Sequence, residues 1–128
     1  MKWLPSLALA VVLFPSASPA WLQIVDTSSI IVYVLPESRT WITTDIVQAW
    51  TKYDTSKSTD PTDKDIKVIA KLTQISCKAK KIRTLDYIEY YKNGSHKSAD
   101  PTPSPWKNII PESVGEVIHT FLCAGKAF

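Results

Sequence analysis

This chain is poor in the residues that hold ligands or do chemistry. Its 128 residues include three glycines, two histidines, two cysteines and one methionine. Three scattered glycines cannot build a phosphate-cradling loop, so that class of nucleotide site is excluded. His96 stands in a polar loop and His119 on the expected outer face of a helix, and neither has co-ligands nearby for a metal or haem. Asp60, Asp63 and Asp65 suggest calcium, but Pro61 interrupts them and no closing glutamate completes an EF-hand loop. Fifteen basic against twelve acidic residues give a net charge of only +3, too little to steer towards nucleic acid. Beyond residue 20 no apolar run is long enough to span a bilayer. No cofactor is expected.

The first twenty residues have an export pattern. Lys2 gives a positive start, Trp3 to Phe14 is a mostly apolar run, and Pro15 to Ala20 breaks it with small residues at Ser18 and Ala20. Cleavage before Trp21 is expected, leaving one domain over residues 21–128 and a net charge of +2. No cysteine follows the apolar run, so a lipid-anchor site is missing from it. In an oxidising compartment an even pair of cysteines, Cys77 and Cys123, is expected to form a disulfide.

The C-terminal stretch reads as a helix entered from a loop. Pro111 biases Ile110 away from helical angles. Ser113 and Glu116 have capping-box spacing. Val114, Val117, Ile118, Phe121 and Leu122 then form one apolar stripe, and Gly125 supplies a left-handed stop. Cys123 falls opposite that stripe, so the last turn is expected to fray or tighten, or Cys77 to reach it from the flank.

Between leader and helix the pattern is extended. Trp21–Val25 and Ile30–Leu35 are short β-rich runs with a turn between them. Trp41–Tyr53 is a third, with helix as the alternative for 45–50. Residues 53–65 read as an exposed loop. From Ile66 to Leu72 apolar residues alternate, and the parity change after it suggests a bulge near Thr73–Gln74. Ile82–Tyr91 continues, Asn93-Gly94 turns, and Pro101, Pro103 and Pro105 mark another loop. Strands followed by one helix predict an α+β fold: an antiparallel sheet of five or six strands, with the helix on one face tied by the disulfide.

With these features the chain resembles the bacterial surface-adhesin protein E family. The resemblance rests on the exported start, Ala49-Trp50-Thr51-Lys52-Tyr53-Asp54, Ile75-Ser76-Cys77, and the tail Trp106-x-x-Ile109-x-Pro111-x-Ser113-x-x-Glu116 to Cys123. It covers most of residues 21–128, and the tail is its most specific part. It implies a helix held to the sheet by Cys77–Cys123, binding of host extracellular-matrix proteins at the cell surface, and homodimers.

Two sets of residues are candidates for partner binding. Lys78, Lys80, Lys81 and Arg83 have a spacing linked to sulfated polyanions, although strand alternation would point Lys78 and Lys80 to one face and Lys81 and Arg83 to the other. Tyr87, Tyr90 and Tyr91 could line a binding surface. Ser113 reads as a cap, not a nucleophile. The expected function is therefore a non-enzymatic, exported module that binds a host or envelope protein. The alternative is a periplasmic structural or envelope-associated protein without a host ligand.

Overall fold

The alternation centred on Ile66–Leu72 becomes one of the two longest strands of one antiparallel sheet. The computed structural model describes residues 20–61, 65–98 and 103–125; the expected leader, apart from Ala20, lies outside them. In chain order the strands are β1 (Leu22–Asp26), β2 (Ile31–Val34), β3 (Thr40–Trp41), β4 (Ile46–Asp54), β5 (Ile66–Ser76), β6 (Lys81–Tyr91), β7 (His96–Ser98) and β8 (Lys107–Asn108), followed by helix α1 (Val114–Leu122). The sheet order is β1-β2-β4-β5-β6-β7. β3 shares one edge of β4 with β2, and β8 shares the outer edge of β6 with β7.

Eight strands exceed the five or six expected. The additions are short: β3 and β8 pair over two residues and β7 over three. Segments that short sit in polar or proline-bearing stretches and carry no readable alternation. Residues 45–50 are strand, not helix. On β4, Val47, Ala49 and Thr51 are fully buried while Ile46, Gln48 and Trp50 are half-buried. A strand covered on both faces loses the clean alternation that identifies one.

The irregularity expected near Thr73–Gln74 lies on the opposing strand. Leu72 pairs with Asp86 and Thr73 with Thr84, so the extra residue is Leu85 on β6, while β5 pairs evenly with β4 throughout. Asn93-Gly94 closes the β6–β7 hairpin, with Gly94 at φ +87°. In the loop after β4, Thr55 is buried and its hydroxyl donates to the carbonyl of Ile66 at 3.1 Å.

Helix α1 starts and stops largely as its residues dictate. The Ser113 hydroxyl accepts the Glu116 N–H at 3.4 Å. The capping box closes one residue early, because the Glu116 carboxylate takes the N–H of Glu112 (2.9 Å), which sits at φ +62°. The last turn tightens: Ala124 donates to the Phe121 carbonyl, and Gly125 follows at φ +83°. Ile118 and Leu122 are wholly buried against Val34, Val47, Ala49 and Ile75. Val117 does not complete the stripe. It is 39% exposed, because the helix overhangs the sheet edge at β1.

Cys77 and Cys123 are bonded, with Cα atoms 5.9 Å apart. Cys77 sits in the turn after β5 and meets the helix at its C-cap, which resolves the mismatch with the apolar stripe. His119 is not on an outer face. Its Nε2 lies 2.9 Å from the Cys77 carbonyl. Asp45 holds the same turn from the other side: its carbonyl accepts the Cys77 N–H (3.0 Å), and its carboxylate accepts the Ser76 hydroxyl (2.8 Å) and the Lys78 N–H (2.7 Å).

The bridge spans 46 residues, for which chain entropy gives about 4 kcal/mol. Cys123→Ser is expected to lower unfolding free energy by about that amount in a urea titration. Ser113→Ala should cost about 1 kcal/mol. Equal, small losses would mean that packing alone holds the helix.

Candidate partner-binding surface

All seven sequence candidates lie on β6 or on the turn leading into it, but they do not form one site. Lys81 opens β6 and Tyr91 closes it, about 30 Å apart at strand rise. The two groups lie towards opposite ends of β6.

At the first end, strand alternation does not split the basic run as expected. Lys78 and Lys80 belong to the turn between β5 and β6, not to a strand, and both are exposed with Lys81. Arg83 is withdrawn from this group. Its Nε–H donates to Gln74 (2.9 Å), Gln74 donates to Gln48 (3.0 Å), and the guanidinium lies 4.5 Å from the Trp106 ring centre. This ladder crosses β6, β5 and β4 on the face opposite the helix, so that face is not a simple apolar surface.

At the other end the register puts Tyr87, Glu89 and Tyr91 on the helix-bearing face and Tyr90 on the reverse. Tyr87 and Tyr90 are exposed. The Tyr91 hydroxyl donates to the Glu89 carboxylate at 2.6 Å, which raises the Tyr91 phenol above its ordinary pKa. The ring of Tyr90 meets His96 of β7 at 6.1 Å.

Nine helical residues reach about 14 Å, whereas the eleven residues of β5 or β6 extend about 36 Å. The helix therefore covers only part of that face. A cavity of about 350 Å³ lies on it, lined among others by Ile69, Lys71, Thr84, Tyr87, Glu89 and Ser104. The Lys71 ammonium stands 4.5 Å over the Tyr53 ring. Burial, and then the charge of Lys107, lower the Lys71 pKa; burial raises that of Tyr53. A half-desolvated cation over an aromatic ring can pair with a carboxylate or another anionic group.

Sequence reasoning passed over Lys71 and Tyr53. Lys71 reads as one solvated lysine of an alternating strand, and only the pairing of Lys71 with Tyr87 and Thr51 brings the parts together. It also missed a second hollow of about 520 Å³ between β1 and α1, where Leu22, Ile24, Val117 and Phe121 form apolar walls beside Glu112 and Glu116. Lys52 lies over both Trp21 (4.6 Å) and Tyr33 (4.7 Å) and fixes the start of β1 to its neighbours. Among the described residues no three His, Cys, Asp or Glu side chains gather to hold a metal, and no helix is long and apolar enough to cross a membrane.

A family model described as Surface-adhesin protein E matches residues 21–124. The fold is similar to solved structures of protein E from Haemophilus influenzae. One crystal form gives a TM-score of 0.59 at 14% identity, covering 84% of this chain and 94% of that one. Another structure gives 0.58 at 15%, covering 87% and 90%. At such identity the likeness concerns the fold alone. No curated protein sequence matches this chain.

Because Lys71 titrates lower folded than unfolded, its buried charge costs stability at neutral pH. That cost fades as pH rises through the folded value towards 10.5. In NMR of dimethylated lysines, Lys71 should titrate below the exposed lysines, and Lys107→Ser should raise its midpoint. An unshifted midpoint in that variant would exclude Lys107 as a cause.

Proposed function

The chain belongs to the surface-adhesin protein E family, and from that premise we propose that it is an exported, non-enzymatic binding module. It engages a protein partner, a host extracellular-matrix protein or a protein of the envelope, through the open part of its helix-bearing sheet face. The observation that supports this reading is Lys71 over Tyr53 beside exposed Tyr87, in a hollow the short helix leaves uncovered. Tyrosines are favoured at the centres of protein interfaces, where rings bury area at little entropic cost, and a partly desolvated lysine beside them selects an acidic partner group.

For self-association we assign the hollow between β1 and α1. β1 is an edge strand with one side unpaired, and exposed Leu22 and Val117 lie beside it. Leu22→Arg with Val117→Arg is expected to leave a monomer by light scattering, whereas the unaltered chain gives twice that mass; equal masses would remove this contact.

External protease applied to intact cells should cleave the protein. Purified protein should bind one or more immobilised matrix or envelope proteins, and Tyr87→Ala or Lys71→Ala should weaken that binding by tenfold or so, the usual range for an interface anchor. Protection from external protease would shift the reading to an envelope-associated protein facing the periplasm. Unchanged binding in both variants would rule out this face.

A further inference from the structure

Three loops meet at the end of the sheet that carries Cys77, and they hydrogen-bond directly to one another. Asp45, in the loop before β4, holds the Cys77 and Lys78 N–H groups. The Lys80 carbonyl accepts the Ile109 N–H at 3.0 Å. Ile42 and Ile110 stand on the two flanking loops. They are 50% and 70% exposed, the most exposed large apolar residues among those described. Exposed Lys78 and Lys80 lie between them, with Lys81 and Lys107 on the adjoining strands β6 and β8. None of these four lysines enters an ion pair among the described residues.

Lys80 adds a second, independent observation. Its φ is +52°, a left-handed conformation in which glycine or asparagine would sit at lower cost. Strain retained at an exposed charged residue points to a use for the side chain.

We propose that this end docks the protein on an anionic lipid surface. The lysines meet headgroup phosphates, and Ile42 and Ile110 enter the boundary between headgroups and acyl chains. A sulfated polysaccharide would satisfy the lysines equally well but gives two projecting isoleucines nothing to bury into. The turn is held by the disulfide, His119 and Asp45, so little backbone order is lost on contact. The contact is peripheral and uses the end away from Tyr87, so it goes beyond the protein-binding reading.

The chain from Trp21 to Phe128, oxidised, is tested by co-sedimentation with phosphatidylcholine vesicles with and without phosphatidylglycerol. Binding is expected only to the anionic vesicles. Lys78→Ser, Lys80→Ser and Lys81→Ser together should weaken it about a hundredfold, from roughly fivefold per lysine. Ser at Lys67, Lys92 and Lys97 should not. Ile42→Ser with Ile110→Ser should abolish the fraction that resists added salt, and Ile110→Trp should show a blue-shifted emission on anionic vesicles. Lys80→Gly separates binding from folding: its melting temperature should hold or rise while affinity falls about fivefold. Tyr87→Ala should leave vesicle binding unchanged, so this reading and the protein-partner reading fail separately. Absence of vesicle binding, or equal losses in the control lysine set, overturns the proposal. So does lysine-dependent retention on heparin that the isoleucine substitutions leave intact, without vesicle binding; that outcome assigns the end to a sulfated polysaccharide.

Discussion

The segment from Ser76 to Lys78 is gripped from three directions, and the rest of the molecule is arranged around that grip. A covalent bond ties Cys77 to the helix end, His119 reaches its carbonyl, and Asp45 takes its N–H and both neighbours. The covalent tie limits the unfolded chain, while the hydrogen bonds satisfy backbone groups at the buried Cys77 and its neighbours. Together they set where α1 lies on the sheet. The helix's short apolar face, chiefly Ile118 and Leu122, then packs on Val34, Val47, Ala49 and Ile75.

The mismatch between helix and strand lengths follows from this placement. A helix of two and a half turns, anchored at one end of strands more than twice its length, cannot cover them. The far part of the same face is closed only in part, by residues that are neither wholly apolar nor fully solvated. Thr51 and Thr73 pair their hydroxyls in the buried strip at 3.0 Å, and Lys71 shelters its charge against Tyr53. Such a surface is tolerated in a stable sheet because, among the described residues, no fully buried side-chain polar atom lacks a hydrogen-bond partner.

The reverse face is organised differently. There Gln48, Gln74 and Arg83 form a cross-strand ladder that ends in the Arg83–Trp106 stack. It spends hydrogen-bonding capacity internally and leaves Arg83 little freedom to meet a ligand. The two sheet edges differ: β6 is capped by two very short strands, whereas β1 keeps one side unpaired. The hollows and loop ends are the parts of the surface least committed to internal contacts.

The helix was legible because its signals are local: the Ser113 cap, the Ile118–Leu122 stripe and the Gly125 stop all act within a few residues of themselves. The same holds for the strand alternation of Ile66–Leu72 and for two cysteines in a chain with an export pattern. Lys71 beside Tyr53, the transfer of the irregularity to Leu85, the inward turn of His119, and the separation of Arg83 from the other basic residues were not legible. The strand features depend on which residue of a distant strand stands opposite, and pairing register is a property of the assembled sheet that no local run of side chains encodes; the turn of His119 depends on where the disulfide brings the helix end against Cys77.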